Sequence, residues 1–177
     1  MADEDAILTL VNYDLWCTDH LAANMESLSI EDVTREFPIG WRTLHRTLHH
    51  IVTTAELWSD RSLANPSGIR PEEKNSGPQL FSTTSLRERY RVAGRQMLSS
   101  LAVLYATPGS AKDVGWHIRR NHLIHITTHS MHHRAQMIFM LTQLGVPDII
   151  EGGDYGGWAN GPLKTSVDRK TIAKFLY

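Results

Sequence analysis

Apolar positions recur at three- and four-residue intervals along four long stretches of the chain, with turn-forming residues between them. Leu8, Val11, Leu15 and Leu21 mark the first stretch. Trp41, Leu44, Leu48, Ile51, Val52, Ala55 and Trp58 form a continuous stripe along the second. A third opens at Ser85-Leu86-Arg87-Glu88 and runs through YRVAGRQMLSSLAVLYA. The fourth carries Leu123, Ile126, Met137, Leu141 and Leu144. The spacing predicts helices over roughly 5–27, 41–64, 84–106 and 117–144. Phe-Pro-Ile-Gly at 37–40, Asn-Pro-Ser-Gly at 65–68 and Thr-Pro-Gly-Ser at 107–110 break them. Gly145, with Pro147 beyond it, gives the last one a stop signal. Residues 28–40 read as a connection. Residues 145–177 read as a loop-rich tail, with a short last helix over 168–175. Neither strand-like alternation nor a 20–50 residue repeat is present. The expected fold is all-α, a single-domain antiparallel four-helix bundle over 1–177, with room for a crossover in the long connection between the second and third helices.

Composition narrows the class without naming a function. With 18 basic and 19 acidic residues the formal charge is −1, and no basic block stands out, so no nucleic-acid partner is expected. No apolar run reaches the length of a membrane span, and the acidic start MADEDAILTLVNYDLW lacks the features of a secretory signal. One cysteine, Cys17, allows neither an internal disulfide nor a cysteine-based zinc cluster; it reads as a helix-packing residue. Cytoplasm is the expected compartment.

Histidine is the departure from the ordinary. Of ten in the chain, eight lie in two short windows: His45, His49 and His50, then His122, His125, His129, His132 and His133. At helical spacing the latter five fall within an arc of about 100° on one face, together with Gln136 and Met140. A solvated face would carry Lys and Glu; this one carries almost none, so part of it is expected to face the interior. His129 and His133 are one turn apart, the spacing at which two imidazoles of one helix reach a single cation, and His125 and His129 share that spacing. A third ligand must come from another helix. The second helix offers His49, nearer its apolar stripe, and His50, and periodicity leaves the choice open.

At this point the sequence resembles the DinB/YfiT-like metalloprotein superfamily. The resemblance rests on His129-Ser-Met-His-His133-Arg134-Ala-Gln136, on the following LTQLGVP (141–147), on His50-Ile51 with Trp58 two turns later, and on the opening VNYDLWCTDHL. It implies a four-helix bundle that binds a divalent metal through His50, His129 and His133, often as a homodimer. Some characterised relatives are transferases or isomerases using a low-molecular-weight thiol. The family's acidic residue on the second helix usually stands one place before Glu56, where this chain has Ala55.

Three neutral imidazoles leave at least one coordination position for water or substrate, as in catalytic rather than structural sites. Zinc or nickel suits such a ligand set, with manganese and iron also admitted. The expected function is a metal-dependent enzyme acting on a small molecule, in thiol-dependent S-transfer or a hydrolytic reaction. The alternatives are a non-catalytic metal-binding or stress-response bundle, and a bundle that has lost its metal and keeps the histidines for dimer packing. Glu56 is the candidate general base, weighed against a solvated surface carboxylate. His125, His132 and Gln136 are expected to support the ligands, face solvent or pack. Arg134 is expected to point away from the pair and form a helix-surface or intersubunit salt bridge. Tyr13, Trp16, Trp41 and Trp58 are expected mostly in the core, with one or two lining a pocket. The Gly-rich segment 152–157 lacks the context of a phosphate loop and reads as a flexible segment, a lid or a dimer contact.

Overall fold

A computed structural model describes residues 6–63, 66–68, 81–106, 114–147 and 149. The helix expected over 168–175 and the segment 152–157 lie outside them. The described residues form five helices and no strand: α1 (Ala6–Met25), α2 (Ile30–Thr34), α3 (Leu44–Ser62), α4 (Thr83–Ala106) and α5 (Val114–Gln143). The four long ones occupy the predicted stretches. The single turn α2 falls within the 28–40 segment expected as a connection. It forms because Ser29 caps it, the hydroxyl accepting from the Asp32 N–H at 3.1 Å, with Glu31 and Asp32 in its positive first turn.

Helix α3 begins three residues later than the apolar stripe suggests. Thr43, extended at φ −129°, accepts from the Arg46 N–H at 3.1 Å and fixes the start there, so Trp41 lies outside the helix. Gly145 (φ 72°) closes α5: its N–H donates to the Thr142 carbonyl at 3.0 Å and that of Val146 to Leu141 at 3.2 Å. These are the two bonds of a Schellman stop, and the left-handed residue is the glycine that the sequence places there.

The core unites Val11, Leu15 and Leu21 of α1, Leu48, Ile51 and Val52 of α3, Leu86, Tyr90 and Met97 of α4, and Leu123, Ile126 and Met137 of α5. Helix α3 packs on α4 and α5, and α1 packs on the same two, so α1 and α3 stand diagonally opposite. The contacts also set direction. Glu56–Arg89, Ser59–Gln96 and Ser62–Ser100 advance together along α3 and α4, which therefore run parallel. His50–His129 and Ser62–Arg119 advance oppositely, so α3 and α5 are antiparallel. Arg87 to Glu26 and Gly94 to Leu15 make α1 and α4 antiparallel. Parallel neighbours cannot be joined by a tight turn, which accounts for the long connection between α3 and α4. Packing of α1 on α4 is close at Gly94, where a Cβ would stand 2.6 Å from Leu15 Cδ2.

Because α5 is flanked by α3 on one side and α1 on the other, both sides of it are interior. Arg134 consequently corrects its expectation. It does point away from the histidine pair, yet it is buried (2% exposed) and paired with fully buried Asp14 of α1. Tyr90 of α4 donates to the same carboxylate, and Arg134 Nη1 donates to Thr18 Oγ1 at 3.2 Å. Burial pushes the Asp14 carboxyl up, against the pull of Arg134 and Tyr90. Burial also opposes the charge of Arg134, and Asp14 with its neighbours outweighs it and raises the guanidinium pKa. Cys17 is buried beside Tyr13 and Trp16, and burial lifts its thiol to about 12, which removes it as a nucleophile near neutral pH.

Candidate metal centre

Three of the clustered histidines converge where α3 crosses α5. One ring nitrogen from each of His50, His129 and His133 lies within 4.8 Å of the others, and His50 Nε2 is 3.0 Å from His129 Nε2. The rings meet edge to face, His50 with His133 at 4.7 Å between centroids and His129 with His133 at 4.5 Å. Two nitrogens bound to one zinc ion at about 2.0–2.1 Å stand roughly 3 Å apart, so the spacing matches one edge of a coordination polyhedron.

The helices bring His50 of the first window, and not His49, into this group. His49 turns toward α4, stacking on Phe81 at 5.5 Å and on His45 at 6.3 Å. His45 Nε2 meets the Phe81 carbonyl at 2.9 Å. His50 turns toward α5, on the side of α3 from which Trp58 contacts His122 and His125 at 4.9 and 5.0 Å. Trp58, two turns beyond His50, was the signal in the sequence that marked this side.

Electrostatically, two members of the cluster are held in the neutral form. Burial, then the neighbouring imidazoles, push His129 down to about 3, and burial lowers His133 as well. Both are neutral near pH 7, with lone pairs available. His133 is further oriented by Gln136, which lies one turn on and is buried: its Oε1 is 2.9 Å from His133 Nδ1. An amide oxygen only accepts, so Nδ1 carries the proton and Nε2 is left for the cluster. The Gln136 amide group in turn donates from Nε2 to His132 Nε2 at 3.0 Å. His132 and His125 are both solvent-exposed, His132 tied to Gln136 and His125 lying 5.5 Å from His129. Nδ1 of His129 is buried with no hydrogen-bond partner. The donor set, its spacing and its neutral charge state are compatible with a divalent cation.

Glu56 stands apart from this group. Its carboxylate is clasped by Arg89 of α4, from Nε at 2.7 Å and Nη2 at 2.6 Å, and Arg89 also lies over the Phe81 ring at 5.0 Å. Trp41 joins the site instead of the core: it is 44% exposed, with its ring 4.5 Å from that of His50. It rides on the loop before α3, where Gly40 (φ 48°) and Arg42 (φ 70°) are both left-handed. A Cβ on Gly40 would stand 2.0 Å from Gln136 Oε1. Helical periodicity carries no information about such a loop.

A family model described as the DinB family matches residues 1–159 of the chain. No curated protein and no solved structure gives a match.

Proposed function

This chain belongs to the DinB family, and from that premise we propose that it is a metal-dependent enzyme whose His50, His129 and His133 hold one divalent ion. The observation that carries the reading is the convergence of three imidazoles from two helices, with no fourth histidine, cysteine or carboxylate in the group among the described residues. Three protein ligands leave a position for a substrate or water, whereas a storage or structural site is normally closed by four. Zinc or nickel fits the ligand set best.

Each residue has a task in this reading. Gln136 holds the His133 proton on Nδ1, and burial keeps His129 unprotonated. Trp41 covers the His50 ring and Trp58 lines the α3 side toward His125, so both limit access of water to the cluster. A divalent ion held by these three residues would supply Lewis acidity toward a water or thiol. The reaction class this suits is transfer to a low-molecular-weight thiol or hydrolysis of a small electrophile. Glu56 enters as a tie between α3 and α4 through Arg89 rather than as a base.

Elemental mass spectrometry on protein purified without a histidine tag tests the site. Near one equivalent of metal is expected, lost in His129→Ala and in His133→Ala. Absence of metal, together with no uptake from added zinc, nickel or manganese, overturns it. Metal-dependent turnover in a panel of thiol-transfer and hydrolase substrates then separates an enzyme from a protein that only holds the ion.

A further inference from the structure

The loop before α3 and the amide of Gln136 are in closer contact than packing requires. The loop is tightly made: the Phe37 N–H donates to the Arg42 carbonyl at 2.7 Å, and the Arg42 N–H to Ile39 at 2.8 Å. Its two left-handed residues are Gly40 and Arg42. At Gly40 a side chain would collide with the whole Gln136 amide, its Cβ falling 2.0 Å from Oε1, 2.4 Å from Cδ and 2.9 Å from Nε2. The obstructed atoms are the flexible end of a side chain, so the collision can be relieved by turning Gln136 aside. That movement breaks both bonds the amide makes, to His133 Nδ1 and to His132 Nε2. The loop then carries only the strain of a Cβ at a left-handed φ, whereas the histidine cluster loses the amide that orients it.

We propose that Gly40 is a positioning residue for the histidine cluster: by presenting bare backbone to Gln136 it seats the amide between His132 and His133, and the seated amide holds His133 in the Nδ1–H form with Nε2 turned toward His50 and His129. The proposal deepens the metal-binding reading and rests on it for its functional meaning, but the tautomer it specifies belongs to the metal-free protein. Trp41, next in the chain, lies on the ring of His50, so a single loop addresses two of the three ligands.

Long-range proton–nitrogen NMR on metal-free protein with 15N-labelled histidine, at a pH where the imidazoles are neutral, reads the tautomer directly. Wild-type His133 is expected as a single Nδ1–H species. Gly40→Ala and Gln136→Ala are each expected to give a mixture with the Nε2–H form. Zinc affinity, by competition with a chelator, is expected to fall about 10–100-fold in each variant. If Gly40 acts through Gln136, the double variant Gly40→Ala/Gln136→Ala binds zinc no more weakly than Gln136→Ala alone. Arg42→Gly, which relaxes the same loop without touching the amide, retains the wild-type tautomer and affinity. An unchanged His133 tautomer in Gly40→Ala overturns the proposal, as does an additive loss in the double variant. A tautomer that shifts as expected in a protein that binds no zinc upholds the positioning role and removes the metal reading. Should Gly40→Ala fail to fold, Gln136→Met, which leaves the loop untouched, carries the tautomer test, and a single Nδ1–H species there overturns the proposal.

Discussion

His133 and Arg134 are adjacent on α5 and belong to two opposite kinds of buried polar cluster. On the α1 side, Asp14, Arg134, Tyr90 and Thr18 satisfy one another with opposite charges and complementary donors. On the α3 side, His50, His129 and His133 bring three groups of one kind into contact, and burial with the two neighbouring imidazoles discourages protonation of His129. The first cluster balances its charge within the chain, with Nη2 of Arg134 left without a hydrogen bond among the described residues. The second holds like groups with nothing of opposite charge among them, and that difference is why we read the first as a structural polar core and propose the second as a binding site.

The largest expected effect comes from breaking the charge-balanced cluster. Arg134→Ala leaves Asp14 ionisable and alone in the core and is expected to cost about 3–5 kcal/mol, a substantial part of a typical domain's stability. Asp14→Leu/Arg134→Met, which removes both charges and fills the space, is expected to recover most of it in denaturant unfolding. A double variant as unstable as the single one would show that the cluster does more than neutralise itself. By contrast, His129→Ala is expected to abolish metal uptake while the metal-free protein unfolds within about 1 kcal/mol of wild type, since it relieves crowding instead of stranding a charge. A loss as large as that of Arg134→Ala would erase the distinction between the clusters.

Proton linkage sharpens it further. Burial lowers His129, His133, His45 and His122 in the fold. Below their ordinary pKa of about 6.5 the unfolded chain therefore binds more protons than the folded one, and stability rises with pH through that window. The metal-free protein should lose stability between pH 7 and pH 5, with the contribution of His129 continuing toward its folded pKa of about 3. Urea midpoints across that range, with a shallower slope in His129→Gln, are the check; a flat wild-type profile would mean the cluster is solvated in solution. The smallest effect concerns Glu56. Its half-buried pair with Arg89 is expected to contribute about 1 kcal/mol or less, so Glu56→Gln should lower stability slightly and leave metal stoichiometry unchanged. Loss of the metal in that variant would draw Glu56 into the site.

What the sequence conveyed follows from which signals are local. Helical period and breakers located the four long helices, and the i, i+4 spacing of His129 and His133 placed two members of the histidine cluster on one face. The choice between His49 and His50 was not local, because α3 has two neighbours and periodicity reports only their average direction. Trp58 resolves it once α5 is in place. Arg134 departs from its expectation for a similar reason: a helix with partners on both sides keeps only a narrow outer face, and Arg134 lies off it, its sign being the acidic Asp14 among the apolar positions of α1. Gly40 and Trp41 were beyond reach, since a left-handed loop returning to a residue nearly a hundred positions away leaves no periodic trace.

His50 and His129 are 79 positions apart in the chain. Contacts at that range are made after the intervening segments have collapsed, because closing the long loop between them is entropically costly. An ion gripped between α3 and α5 would therefore stabilise the finished bundle more than the path toward it. Its effect would be felt as persistence: folding at much the same rate, and unfolding more slowly once the ion is in place.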